Sequence, residues 1–258
     1  MSLSGLFGKS RGAISRARKD TEDSCLYASI HIPKTGGITL YNVLCEHFGD
    51  GLQTAYGPRA AEGVKIDSKG PPRCIHGHQV MKDWGEHIRK QPQVRWLTFL
   101  RDPLLGAISF YYFTRKRLLA DPNELLFDDR GLDAWLLNRE QHRWPKPPGY
   151  AFNRYSKFLR QTGREVGKID FIGLTDRFDE SMFLMYQQFG WKPIHYKASN
   201  KGSYDTPEID PKVLAEFRSI NAADYRLYKR AGQSLDEKIS DYGSDYECDF
   251  NAFCAQLK

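Results

Sequence analysis

CLYASIHIPKTGGIT, residues 25–39, joins a short apolar run, a glycine-containing turn and the start of a helical pattern. Residues Cys25 to Ile32 have the apolar and β-branched character of a buried strand. From Ile38 to Phe48 the apolar residues recur at helical spacing, and Gly49 provides a suitable C-terminal stop. The sequence therefore predicts a strand and a helix joined by a turn of the size that holds a phosphate group.

The predicted turn has the residue types that bind anions. A strand-to-helix turn presents unpaired backbone amides and the positive end of the helix dipole. Gly36 and Gly37 would let a ligand approach the backbone closely, Lys34 adds a mobile cation, and Thr35 and Thr39 add hydroxyl donors. An ordinary surface turn with a solvated lysine is the alternative. The pattern G-x-x-x-x-G-K-[ST] is absent, which disfavours a nucleotide kinase or NTPase built on that loop.

A second candidate anion site follows the second clear strand, Val94 to Leu100. Asp102 suits the N-cap of a helix and Pro103 its first position. Arg101, at the strand end, and Ser109, two turns into the helix, could bind a phosphate together. Alternatively, Arg101 pairs with a carboxylate and Ser109 only packs. Two anion sites after two strands of one sheet would suit a nucleotide phosphorylated at both ends.

The remaining pattern alternates strands with helices, which indicates an α/β fold with a parallel sheet flanked by helices. Its ligands are expected at the carboxyl ends of the strands. Residues Asp50 to Pro72 are rich in glycine, proline and charge and are expected to form an exposed excursion. Further strands are predicted at Arg73–His76 and Ile169–Leu174, and further helices after Gly77-His78 through Trp84, at Gly131–Glu140 and Tyr150–Arg160 around a break at Pro145–Pro148, at Phe178–Phe189 and at Pro211–Ile239.

The composition is that of an ordinary globular domain: 258 residues, 40% of them hydrophobic and 27% charged. No apolar run approaches the roughly 20 residues of a membrane span, and the N-terminal segment lacks the apolar part of a secretory signal. Five scattered cysteines without metal-ligand spacing favour a reducing, cytoplasmic setting. We expect a flexible basic lead-in at residues 1–23 and a single domain at 24–258. The net charge of +6 is compatible with anionic ligands but selects none.

Four segments together resemble the PAPS-dependent sulfotransferases over about Tyr27 to Tyr228. His31–Gly37 resembles their 5′-phosphosulfate loop, and Phe99–Phe113 resembles their 3′-phosphate element. Ile75–His78 is similar to the His-Gly-His of the family 2 carbohydrate group, which includes the heparan sulfate 2-O-sulfotransferases. Phe171–Thr175 matches the family's closing strand. The order and spacing of the segments carry the resemblance more than any one of them.

The resemblance implies a P-loop-like sulfotransferase fold for residues 24–258, PAPS as the donor, PAP as the product and no metal. It implies that His78 acts as the base. Arg101 and Ser109 would hold the 3′-phosphate. The 5′-phosphosulfate would be held by Lys34, Thr35, Gly36, Gly37, Ile38 and Thr39.

Two features depart from the family. Relatives often carry an arginine where this chain has Gly106, so one supporting cation is missing or comes from elsewhere. The lead-in also lacks the Golgi membrane anchor of animal members, which leaves their location and acceptor open for this chain. Asn153 and Lys157 are candidate contacts of the donor or the acceptor, but they match the family only loosely, and a solvated helix face explains them at least as well.

The expected chemistry is an in-line displacement at sulfur. Lys34 is expected to stabilise the charge that develops on the leaving oxygen. A neutral His78 imidazole would take the proton of the attacking hydroxyl, and His76 would orient His78 or contact the acceptor. In an extended segment both histidines would point to the same face. Half of a metal site and a purely structural pair are the alternatives for His76 and His78.

We therefore expect an enzyme that sulfates a hydroxyl of a carbohydrate or glycoconjugate. A first rival is a phosphotransferase, which would need an acidic magnesium ligand, and Asp102 is better explained as a helix cap. A second rival is a non-catalytic anion-binding or glycan-binding module. No nucleic-acid partner is expected because the basic residues are dispersed, and the sequence indicates neither the acceptor nor the oligomeric state.

Overall fold

The computed structural model describes residues 25–56, 71–119, 131–137, 152–161, 168–197 and 208–257. The expected lead-in at 1–23, the proline-rich break at 145–148 and residues 57–70 of the expected excursion lie outside the described residues. So does the end of the helix predicted at Gly131–Glu140, beyond residue 137.

The fold is built on a five-stranded sheet in which every strand pair is parallel. The strands lie in the order β2-β3-β1-β4-β5. This arrangement confirms the predicted α/β class and is compatible with a P-loop-like fold. The strands are β1 (Leu26–Ile30), β2 (Leu52–Ala55), β3 (Cys74–Gly77), β4 (Val94–Leu100) and β5 (Phe171–Leu174).

Helices cover the sheet, and most begin or end close to the predicted positions. Single 3₁₀ turns at Gly49–Gly51 and Thr175–Arg177 complete the connections. Of the described helices, none has the length together with the apolar character that a membrane crossing demands. They are α1 (Gly37–Phe48), α2 (Val80–Arg89), α3 (Pro103–Leu119), α4 (Gly131–Leu136), α5 (Arg154–Gln161), α6 (Phe178–Phe189), α7 (Pro211–Ile220), α8 (Ala222–Tyr242) and α9 (Tyr246–Gln256).

Two expectations about local structure were wrong. The expected exposed excursion contains strand β2, whose last residue, Ala55, is fully buried. Gly77 makes this possible, because a Cβ there would lie only 2.2 Å from the Ala55 carbonyl oxygen. The helix predicted at Pro211–Ile239 is two helices, α7 and α8, separated at Asn221. The Asn221 side-chain amide donates to the Phe217 carbonyl, and the Asn221 backbone carbonyl accepts from the amides of Asp224 and Tyr225 in the first turn of α8.

The core lies on both faces of the sheet. All five residues of β1 are buried, and in β4 burial is complete from Trp96 onward. Strands covered on both faces need continuous rather than alternating apolar residues, which is the pattern that made β1 and β4 recognisable. Burial of this kind holds the strand ends in a fixed register, and the residues that follow those ends form the candidate site.

The chain reverses its winding direction around β1. The connection from β1 leads to β2 on one side, whereas the connection from β3 crosses to β4 on the other side. In open α/β sheets, ligands bind outside the carboxyl ends of the strands at such a reversal. The turn after β1, the segment after β3 and Arg101 after β4 therefore all lie at the edge where a ligand is expected.

Candidate active site

The turn after β1 has a fixed backbone. Lys34 and Gly36 both have positive φ angles, 70° and 83°, and the Thr35 hydroxyl donates to the Ile32 carbonyl at 2.8 Å. Helix α1 begins at Gly37 without a side-chain cap and without an acidic residue in its first turn. Its amides and its positive dipole end are therefore left available for an anion. The Thr35 hydroxyl proton is used within the turn.

Three cations converge on this turn. The pKa of Lys34 is lowered mainly by burial and further by the positive charges of Arg101 and Arg154. Arg154, on α5, donates from Nη2 to the Pro33 carbonyl at 3.0 Å. Among the described residues, no ion pair involves Lys34, Arg101 or Arg154. Like charges gathered without a paired carboxylate are unfavourable alone and favour binding of an anion that neutralises them.

Arg154 is held in place by two reciprocal caps. The Asn153 side-chain oxygen accepts from the Ala223 amide at 2.8 Å, at the start of α8. In return, the Asp224 carboxylate accepts from the amides of Tyr155 and Ser156, each at 2.8 Å, at the start of α5. Asn153 therefore has a structural role, and the reciprocal caps fix the position from which the Arg154 side chain reaches the turn.

Part of the Arg154 guanidinium has no partner among the described residues. Arg154 Nη1 and the Tyr155 hydroxyl are both buried without a hydrogen bond. Both residues line a cavity of about 50 Å³ that is bounded on other sides by Pro103 and Asp224. Buried polar atoms normally have partners, so these two atoms mark a place where a water molecule or a ligand oxygen can bind.

Gly106 lies where the sequence resemblance led us to expect an arginine, and its surroundings leave no room for a side chain. A Cβ at this position would lie 2.2 Å from the Tyr155 hydroxyl oxygen and 3.6 Å from Arg154 Nη2. A side chain on α3 therefore has no room there, while a guanidinium from α5 lies against the same point. Arg154 thus supplies a cation at this point from α5 and not from α3.

We expect Gly106→Ala to destabilise the protein by about 1–3 kcal/mol, because the added methyl group overpacks against Tyr155. Without such crowding, replacing a glycine inside a helix by alanine stabilises it by up to about 1 kcal/mol. Gly232→Ala on α8 is the matched control, since its Cβ would meet only a Leu174 methyl at 3.7 Å. Urea unfolding of both variants measures the difference, and equal stabilisation of both would contradict the close packing at Gly106.

Ser109 lies on the face of α3 that points toward the cations. Helical spacing puts Gly106, Ser109 and Phe113 on one side of α3. A Cβ at Gly106 would lie 3.6 Å from Arg154 Nη2, and the centre of the Phe113 ring lies 4.4 Å from the Lys34 ammonium nitrogen. Ser109 is buried, whereas Phe113 is half exposed. The residues predicted for the two phosphate sites therefore lie at one edge of the sheet, with Arg101 close enough for its positive charge to lower the pKa of Lys34.

Ile38 and Thr39 occupy opposite environments in the first turn of α1. Ile38 is among the most exposed large apolar side chains of the described residues, at 51%, whereas Thr39 is buried. Only the backbone amide of Ile38 can therefore serve an anion, and its side chain forms part of the rim of the turn.

The histidines after β1 and β3 form a cluster. His78 lies just past the end of β3 and is exposed, and its ring centre is 4.7 Å from that of His31. His76 is fully buried, shares a 2.8 Å hydrogen bond between Nδ1 and Ser29 Oγ, and stacks on His31 at 5.3 Å. Burial separates the two predicted histidines: His78 can reach an incoming hydroxyl, whereas His76 supports the cluster from within.

All three imidazoles of the cluster are held neutral. Burial, helped by the charges of His78 and Lys34, lowers the pKa of His31 to about 3. Burial also lowers the pKa of His76 well below its ordinary value, with smaller contributions from His31 and His78. The pKa of His78 is lowered by partial burial alone. Since a general base must be unprotonated, these environments suit proton abstraction at neutral pH.

In the described part of the chain, no group of three or more His, Cys, Asp or Glu residues is arranged to hold a metal ion. His31 and His76 meet through their ring faces, at an interplanar angle of 13°, so their nitrogens do not converge on one point.

The Asp102 carboxylate accepts from the amides of Leu104 and Leu105 at 2.9 and 3.0 Å, as the predicted N-cap of α3.

Sequence reasoning missed three residues of this site: Arg154, Tyr56 and His31 as a member of the histidine cluster. Tyr56 follows β2, and its hydroxyl lies 2.7 Å from His31 Nδ1. Correct identification of β2 would have pointed to Tyr56, because residues that follow neighbouring parallel strands meet at one edge. No local pattern distinguishes Arg154 from other helical arginines.

Comparison with known proteins does not identify this site. No model of a known protein family matches the chain, and no curated protein matches it significantly in sequence.

Proposed function

We propose that the protein is a PAPS-dependent sulfotransferase that transfers a sulfuryl group to a hydroxyl, of a carbohydrate or glycoconjugate. One observation carries the proposal: the cations Lys34, Arg101 and Arg154 meet a neutral His78 at the same edge of the sheet. A donor nucleotide with a phosphate at each end needs several cations, and the acceptor hydroxyl beside it needs a neutral base. The resemblance of residues 31–37, 75–78 and 99–113 to the sulfotransferases supports the same reading, including a sulfotransferase fold.

The residues present fit such a donor. The uncapped start of α1 with Lys34 would hold the 5′-phosphosulfate, and Arg101 with Ser109 would hold the 3′-phosphate. Arg154 retains an unpartnered Nη1 that can bind a further oxygen. When bound, PAPS would supply the activated sulfuryl group. A cytoplasmic location, and the absence of a nucleic-acid partner or a required metal, belong to the same proposal.

The chain's own residues would then perform two tasks. His78 takes the proton from the attacking hydroxyl as its oxygen bonds to sulfur. Lys34 holds its charge near the bridging oxygen as the sulfur–oxygen bond to the nucleotide breaks, which stabilises the transition state more than the ground state. The partial burial of Lys34 strengthens this interaction because water screens it less.

A melting scan with PAP, with ATP and with ATP plus Mg²⁺ tests the proposal. PAP at 100 times its Kd should stabilise the protein by about 2.7 kcal/mol without added metal. For a chain of this size the expected rise in Tm is roughly 5–10 °C. Stabilisation by ATP only with Mg²⁺ would instead favour a phosphotransferase. Equal and strongly salt-dependent shifts with PAP and ATP would favour a binding module without catalysis.

A further inference from the structure

We propose that His31 and Tyr56 form a hydrogen-bonded clamp that holds the His78 ring in position. They act as positioning residues for His78. The catalytic consequence rests on the proposed function, whereas the clamp itself rests on contacts among the residues that follow β1, β2 and β3.

The strand register brings the three residues together. Ala55 of β2 pairs with Gly77 of β3, and Gly77 pairs with Ile30 of β1. The next residue on each strand is therefore Tyr56, His78 and His31. Neighbouring strands lie about 4.8 Å apart, so the three side chains start as direct neighbours in one row, with His78 in the middle.

The outer two members of the row bond to each other and contact the middle one. His31 Nδ1 and the Tyr56 hydroxyl oxygen are 2.7 Å apart. The His78 ring centre lies 4.7 Å from that of His31 and 4.8 Å from that of Tyr56. The Tyr56 ring meets His78 edge-on at 82°, a geometry in which aromatic rings attract. His78 is thus contacted from both sides by a bonded pair.

His31 cannot move away from this position without losing support on its other face. A Cβ at Gly37 would lie 1.8 Å from His31 Nε2, so the ring occupies the space that any larger residue would need. His76 stacks on the second face of His31. Gly37 is thus needed to make room for His31, in addition to any role that its backbone has toward an anion.

The clamp has a definite chemical effect on His78. The titratable groups that face His78 are His31 just after β1, Tyr56 just after β2 and His76 in β3. The Phe158 ring of α5 lies 6.4 Å from the His78 ring. Burial raises the pKa of Tyr56 and lowers those of His31 and His76, so all three stay neutral. Neutral rings around His78 shield part of its ring from water without offering a counter-charge, and they lower the pKa of the imidazole and orient it.

Tyr56→Phe tests the clamp because it removes the hydrogen bond and keeps the ring. We expect the pKa of His78, followed by NMR titration, to rise from below 6.5 toward that ordinary value, since water gains access to the ring. Turnover should fall roughly tenfold, as for a reacting group displaced by a fraction of an ångström, with the donor KM unchanged. Tyr41→Phe is the matched control, because the Tyr41 ring contacts His76 rather than His78. It should leave both quantities unchanged.

Gly37→Ala provides a second route to the same result, since it displaces the His31 ring from the opposite side. An unchanged His78 titration in either variant, at an unchanged Tm, would overturn the clamp. The titration is measured without donor or acceptor, so it tests the clamp even if PAP fails to bind. Failure of the unmodified protein to bind PAP would count against the proposed function and not against the clamp.

Discussion

His78→Ala is expected to abolish sulfuryl transfer and to leave the stabilisation by PAP intact. The variant removes the one exposed imidazole of the cluster, while the cations that would hold the donor lie at the turn after β1 and at the start of α3 and α5. A positioned general base contributes about 10²–10⁴-fold to the rate, and a loss of that size is expected in kcat. Single-turnover assays with radiolabelled donor and a PAP melting scan measure the two quantities.

The pH dependence gives an independent check on the same residue. His78 must be neutral to accept a proton, so the rate should fall as the pH drops through its pKa. Because partial burial lowers that pKa, the acid limb of kcat/KM should lie below pH 6.5. His87→Ala is a suitable control, since this histidine lies on α2 and bonds to Gln91, away from the cluster. If His78→Ala abolished PAP binding instead, His78 would be a structural residue and the assignment of the base would be wrong.

Lys34→Met should weaken the stabilisation by PAP and remove most of the turnover. Methionine has a similar length and no charge, so it leaves the turn filled but deletes the cation that faces Arg101 and Arg154. Removing one preorganised group that stabilises transition-state charge typically costs about 10²–10³ in kcat. The loss of ground-state binding should appear as a smaller rise in Tm with PAP than in the unmodified protein.

Lys90→Met is the control for loss of one positive charge. Lys90 is exposed, pairs with Glu86, and follows α2 at the amino edge of the sheet, opposite to the candidate site. A surface pair of this kind contributes little to stability. The same loss of PAP stabilisation in Lys34→Met and Lys90→Met would show that PAP responds to net charge only. A Lys34→Met variant that kept full turnover would rule out Lys34 as the stabiliser of the leaving group.

The parts of the fold that could be predicted are those with local causes. The apolar run before Pro33, the glycine-containing turn and the helical pattern after it produced β1, the Lys34 turn and α1 as expected. The Asp102 cap and Pro103 at the first helical position likewise depend on neighbouring residues alone. Lys34 and Arg101 come directly after two strands of one parallel sheet. Their position at the same edge of the sheet could therefore be predicted from the α/β class.

The parts that could not be predicted depend on contacts between distant segments. Arg154 reaches the Pro33 carbonyl from a helix that begins about 120 residues later, and only the packing of α5 against α8 directs it there. Tyr56 was missed because strand β2 is short and lies in a glycine-rich stretch. The separation of His76 from His78 by burial depends on where β3 ends, and strand ends are the least predictable feature of a sequence.

Through the reciprocal caps of Asn153 and Asp224, the position of Arg154 at the candidate site depends on the start of α8. If the first turn of α8 frays, the first amides of α5 lose their hydrogen-bond acceptor, Asp224. The backbone that carries Arg154 is then no longer held in place. Local opening of this kind costs less free energy than global unfolding. Under the proposed function, the affinity for a nucleotide phosphorylated at both ends would therefore depend on the order of α8, and nucleotide binding should in turn protect the amides of α8 from hydrogen exchange.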